Sequence, residues 1–300
     1  MLRDRRSALA AALVAVPFVA WGFWPWVLRP AGLAALQSAL LVQLIQAAPA
    51  PILAWRERAA FRDRGAVLAL LGFGLFDAAQ VALYFPALTA GPVSVAALTH
   101  YLGPIIVALV APFIPGERGS RRAMVAAPLS LLGLVLVMGP PDRAPLVTAA
   151  LGAGSAFAGA GCLFTVRRAS RSFSPLGVSA LHAVVSAGVL LAVFRGQAVP
   201  PMGAGLVRVA LAGVALGPLA MIVFVRAIRK VQAPIAATIG YVEPVTAAAV
   251  GALLLGERVG SMAIVGAAVV IGAGVWVAFE PPAPPPAPLP ATEGPSTVAG

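Results

Sequence analysis

Two stretches of this chain, 140 residues apart, carry the same uncommon residues in the same register. Tyr101 and Pro104 are followed by Gly116-Glu117-Arg118, and Tyr241 and Pro244 by Gly256-Glu257-Arg258, with no gap between the copies. The chain holds only 3 Tyr, so this coincidence carries weight that matching Ala or Val would not. A duplication constrains a fold more tightly than local propensity, because one unit must serve twice.

Composition decides what the unit is made of. Hydrophobic residues make up 60%, charged residues 10%, and mean hydropathy is +0.96. Soluble domains run at about 25% charged. A membrane helix needs about 20 apolar residues, and the sequence supplies ten such runs. The first five are Ala8–Leu28, Ala31–Trp55, Gly65–Leu88, Pro92–Ile114 and Ala123–Met138. The second five are Leu146–Val166, Pro175–Phe194, Gly203–Val225, Ala233–Leu255 and Gly260–Phe279. The expected fold is all-α: a polytopic membrane protein of ten helices in two five-helix repeats, residues 1–140 and 141–280. Residues 281–300, rich in Pro and Ala, have no apolar period and read as a disordered tail.

The net charge of +11 suggests nucleic acid only until the charges are located. Arg3, Arg5 and Arg6 precede the first helix. Further basic groups fall at Arg56 to Arg64, Arg118 to Arg122, Arg167 to Arg171 and Arg226 to Lys230. These segments hold 16 of the 21 basic residues and all lie on one side of a ten-helix path. That is the positive-inside pattern of a cytoplasmic face. It places both termini in the cytoplasm and the protein in the cell (inner) membrane. Five helices per repeat is odd, so the second repeat enters the membrane inverted relative to the first.

Catalytic signatures are absent: no H-E-x-x-H, P-loop or G-x-S-x-G occurs. Cys162 is the sole cysteine, which excludes an internal disulfide. Gly152, Gly154, Gly159 and Gly161 lie within an apolar run and suit close helix packing rather than nucleotide binding. No cofactor, metal or nucleic-acid partner is expected. The partners are the lipid bilayer and a small-molecule substrate.

Polar groups at membrane depth are costly and by default functional. Asp77 lies mid-way along the third helix, with Gln80 and Tyr84 on the same face at i+3 and i+7. These two are its expected hydrogen-bond partners. His100 and Tyr101 fall in the fourth helix, Tyr241 and Glu243 in the ninth, and Trp21 in the first. Gln43 and Gln46 share a face of the second helix. At the repeat offset, Asp77 faces Gly217, His100 faces Gly240 and Glu243 faces Gly103. The shared skeleton therefore does not depend on these ionisable groups. Tyr101 and Tyr241 are common to both copies and read as cavity lining or packing. The eight residues Trp21, Asp77, Gln80, Tyr84, His100, Tyr101, Tyr241 and Glu243 are the candidate substrate-binding set, with Asp77 the candidate proton-coupling group. Glu243, beside Pro244, equally suits a kink or a pair with His100. His182 reads as a helix contact, and Glu117-Arg118 and Glu257-Arg258 as loop-organising pairs.

The stretch from Glu243-Pro244 to Gly256-Glu257-Arg258, followed by a Gly-rich apolar helix, resembles the EamA family of the drug/metabolite transporter superfamily. The resemblance covers roughly residues 8 to 279. The first copy departs from it, with Gly103 before the proline and Pro115 before the Gly-Glu pair. The resemblance implies a secondary transporter exporting small metabolites such as amino acids by alternating access, with proton coupling open. Helices 3, 4, 8 and 9 would then line most of the cavity, with helices 1 and 6 as movable walls. A lipid-directed membrane enzyme would need a nucleophile or metal cluster that the sequence does not display. A scaffold or sensor would work through the Pro-rich tail.

Overall fold

The computed structural model describes residues 2–139, 145–195 and 202–280, with side chains from residue 9 onward. The tail expectation for residues 281–300 lies outside the described residues. The ten apolar runs form ten helices long enough to cross a membrane. In chain order they are α1 Leu9–Ala31, α2 Ala35–Arg56, α3 Arg64–Ala90, α4 Val93–Phe113 and α5 Arg121–Met138. The second set is α6 Leu146–Ala169, α7 Pro175–Phe194, α8 Ala204–Ile228, α9 Ala233–Leu255 and α10 Ser261–Ala278. No strand occurs among the described residues. The chain is an all-helical polytopic membrane protein, and its ten helices form two five-helix repeats.

The repeat shows in how the helices pack. α3 lies on α6, and its counterpart α8 lies on α1; α5 pairs with α10, and α2 with α7. The glycines of α6 permit its close approach to α3 and α4. A Cβ on Gly152 would meet the Thr99 side chain and the Ala96 carbonyl, and one on Gly161 would meet the Phe76 ring.

The charged segments gather at one end. Asp63, before α3, accepts from the Arg168 guanidinium at 2.8 and 3.1 Å and from Ser172 Oγ at 2.7 Å. It also caps α3 through Ala66 N. Arg168 above all, then Ser172 and the Ala66 amide, hold its carboxyl well below the usual carboxylate range. Arg229 donates to the Phe173 carbonyl, and Ser120 to Glu280. The largest buried cluster closes this end, with Phe173, Val225, Ile228 and Val231 among its members.

Several helices are interrupted, and α4 and α9 are broken at equivalent places. α4 is helical over Val93–His100 and again from Gly103. α9 is helical over Ala233–Ile239 and again from Val242. Pro104 and Pro244 cause this, since each lacks the N–H that would reach the carbonyl four residues back. In α9 the Gly240 carbonyl accepts instead from Glu243 N at 3.0 Å. Interrupted helices at mid-membrane are how many transporters present backbone and side-chain polarity to a ligand.

Candidate functional site

A cavity of about 380 Å³ opens where the two breaks face each other. Asp77, His100 and Glu243 line it, and so do their glycine counterparts Gly217, Gly240 and Gly103. The repeat axis thus passes through the cavity, and one member of each pair supplies chemistry while the other supplies room. The glycines cannot be exchanged freely. A Cβ on Gly217 would meet Val42 at 2.8 Å, and one on Gly240 the Phe18 ring at 3.1 Å.

A second space of about 630 Å³ shares Trp21, Trp24, Val42, Tyr101 and Glu243 with the first. It runs from these residues past Tyr84 toward Arg29 and Glu257, away from the closed end. The cavity walls come from α1, α2, α3, α4, α6, α8 and α9. α2 and α6 contribute as directly as α4, so the lining is broader than helices 3, 4, 8 and 9.

Asp77 is tied to its neighbours differently from the expectation. Its partners are Gln43 of α2, within hydrogen-bond distance, and Ser186 of α7, at 2.6 Å. Gln43 also accepts from Gln46, which accepts from Ser179 Oγ at 3.1 Å. Gln80 and Tyr84 do share its helix face, but the short aspartate side chain turns toward α2 and α7 instead. Gln80 lies against Gly159, and the Tyr84 ring sits 4.3 Å from that of His100.

His100 does not pair with Glu243. Its Nδ1 lies 2.8 Å from Ser155 Oγ, and that hydroxyl donates to the Gly152 carbonyl at 2.7 Å. Ser155 must therefore accept, so the proton sits on Nδ1. Glu243 stands in the first turn of the second α9 segment. It lines both spaces, and no described residue donates a hydrogen bond to its carboxyl. Trp21 lines both spaces too, but its indole N–H is spent on the Leu216 carbonyl at 2.8 Å. That carbonyl lies in a π-helical turn over Ala215–Leu219, which contains Pro218. Trp21 thus offers its ring rather than its donor.

Tyr241 stands behind the wall. It is fully buried, and its hydroxyl donates to the Tyr101 carbonyl at 2.7 Å. His182 is also buried; it stacks on Phe73 at 4.1 Å and bonds Val178 O through Nδ1. Its Nε2 has no hydrogen-bond partner among the described residues.

The Gly-Glu-Arg triplets act across the repeats rather than within their own loops. Gly116, in the turn after α4, and Gly256, at the end of α9, take φ of +83° and +72°, which favours glycine. Each turn aims its glutamate at the first helix of the other repeat. Glu117 pairs with Arg167 of α6 at 2.7 Å, with only 4% and 14% of their side chains exposed. Arg167 also caps the Ile228 and Val231 carbonyls. Glu257 pairs with Arg29 of α1, but there 43% and 58% are exposed. One end is locked by a buried pair; the other carries a solvated one. Sequence reading missed this because each arginine lies in a different repeat from its glutamate.

The EamA-like transporter family model matches the chain over residues 8–139 and again over 146–279. The chain belongs to the EamA-like transporter family. Arg29 and Arg167 stand at corresponding ends of α1 and α6, each two residues before the last residue of its helix. A relative described as an "Uncharacterized transporter", from Archaeoglobus fulgidus, is 28% identical over 218 residues, 70% of this chain and 76% of its own. A solved structure described only as "Crystal structure of protein" superposes with a TM-score of 0.74 at 19% identity. That match covers 90% of this chain and 96% of the other, and it supports the shared fold. The protein is a multi-pass membrane protein of a transporter family, and family membership favours transport over catalysis.

Proposed function

We propose that the protein is a secondary transporter that moves a small molecule by alternating access through the cavity between its repeats. The observation that carries this reading is the unequal pair of cross-repeat ion pairs. Two ion pairs built from matching glutamates and from arginines at corresponding helix ends lock one end and leave the other solvated, and the accessible space extends toward the solvated pair. A carrier with inverted repeats reaches its second state by exchanging the two arrangements. α1 and α6, which bear the two arginines, are the elements that would move.

Asp77 is the proposed coupling group. It lies in the cavity wall and holds α3 to α2 and α7 through Gln43 and Ser186. Adding a proton changes those contacts and the cavity charge together, which a proton-driven cycle requires. The arginine-rich end is proposed to face the cytoplasm. Cysteines replacing Arg62 and Gly203, each without Cys162, should then react with a membrane-impermeant maleimide from opposite faces, Arg62→Cys from the cytoplasm.

The deciding experiment is counterflow in proteoliposomes with a panel of radiolabelled amino acids, amines and organic acids. At least one compound should exchange across the membrane at a rate saturable in its concentration. No exchange of any compound by protein of verified fold would overturn the transporter reading.

A further inference from the structure

The cavity's charge and aromatic content define the class of molecule it would take. Its acidic groups are Asp77 and Glu243, and no Lys or Arg lines it. The adjoining space adds one basic residue, Arg29, already neutralised by Glu257. Asp77 has two donors on its carboxyl. The Glu243 carboxyl has none among the described residues, although it lines both spaces. A carboxyl at membrane depth is stabilised by a counter-charge or by a proton, and among the described residues no Lys or Arg stands beside this one.

The wall around it is aromatic. Phe18, Trp21 and Phe224 form a mutual edge-to-face cluster with ring centroids 5.3 to 5.5 Å apart. All three line the cavity with Trp24, Phe73 and Tyr101. Trp21 N–H is committed to the Leu216 carbonyl, so what this residue brings to the cavity is its ring rather than its donor. Aromatic faces attract ammonium groups and also accept an apolar body. A volume of about 380 Å³ is at the lower end of the range of ligand pockets, roughly 300–1,000 Å³.

We infer that the substrate is a small organic monocation with an aromatic or apolar body, its ammonium group seated against Glu243 and its body among Phe18, Trp21 and Phe224. This rests on the transporter reading and sharpens it. A zwitterionic amino acid brings a carboxylate that finds no basic side chain in the lining, and an anion meets two carboxyl groups and no counter-charge.

The test uses the purified full-length chain and radiolabelled tetraphenylphosphonium, displaced by three compounds that share one ring and differ in charge: phenethylamine, phenylalanine and phenylacetate. Phenethylamine should displace the probe at a concentration at least ~10-fold lower than phenylalanine, and phenylacetate should not displace it. Glu243→Gln should weaken phenethylamine binding by ~10-fold or more, and Glu243→Asp, which keeps the charge, should retain most of it. Equal displacement by all three compounds overturns the inference, and so does unchanged phenethylamine binding in Glu243→Gln. If that variant fails to fold, the displacement order on the unaltered protein still decides. Counterflow of a zwitterion with no preference for the amine would refute the cation class and leave the transporter reading standing. Cation binding without counterflow of any compound would do the reverse.

Discussion

The Tyr241 hydroxyl donates to the Tyr101 carbonyl across 2.7 Å, joining two residues that occupy the same place in the two repeats. The bond is not reciprocated, because Tyr101 turns its own ring toward the cavity. The two tyrosines should therefore fail differently. Tyr241→Phe leaves a carbonyl at the α4 break without its donor inside a buried cluster, a loss of about 1–3 kcal/mol. Tyr101→Phe keeps that bond, since only its backbone takes part. Thermal unfolding in detergent should show a lower midpoint for Tyr241→Phe and little change for Tyr101→Phe, whose effect should appear in ligand affinity. Equal midpoints for the two would show that the bond contributes nothing.

The two cross-repeat ion pairs give a second asymmetry. Removing one partner of a buried pair costs about 3–5 kcal/mol, whereas exposed pairs are worth about 0–1 kcal/mol. Cys162 lines the cavity and is the chain's sole cysteine, so it reports access without further engineering. Glu117→Gln should accelerate modification of Cys162 from the arginine-rich face by ~10-fold or more. Glu257→Gln should change the rate from either face by less than about twofold. Similar behaviour of the two variants would mean that neither pair holds a gate.

Asp77→Asn keeps the size of the side chain and removes its proton. The expected result is loss of accumulation driven by an imposed pH gradient, with substrate exchange still measurable. Glu243→Gln should instead lower exchange through weaker binding. Unchanged gradient-driven accumulation in Asp77→Asn would exclude Asp77 as the coupling group.

Asp63 predicts a pH dependence. Its carboxyl titrates lower in the folded protein than in an unfolded chain, chiefly through Arg168, where the unfolded value is about 3.9. The stabilisation is therefore complete above that value and is lost as pH falls below it. Melting midpoints of the unaltered protein and of Asp63→Asn should differ by a constant amount from pH 5 to 8 and converge below about pH 4. Convergence on raising the pH instead would contradict the assignment.

The helices were legible because crossing a membrane demands length and apolarity, which any sequence must display openly. A kink in α9 was legible from Pro244, and the repeat from a few rare residues; the matching break in α4 follows from Pro104 by the same repeat. Seven of the eight candidate residues line one or both spaces, and Tyr241 stands behind them. What stayed hidden depends on rotamer and partner choice. Nothing in the local spacing says that Asp77 turns toward Gln43 and Ser186, because those residues lie 34 and 109 positions away. The same holds for Trp21, whose partner is a backbone carbonyl in a π-helical turn 195 positions along the chain.

The crossed pairing of Glu117 with Arg167 and Glu257 with Arg29 also bears on inheritance. Each half of the chain holds one residue of both locks and neither half holds a complete one. A gene cut between α5 and α6 would yield two pieces, neither of which closes either lock within itself. Once duplicated, the halves could drift apart in their glycines and carboxyls, as they have at Gly103 and Glu243, but not in these four positions without a compensating change in the opposite half.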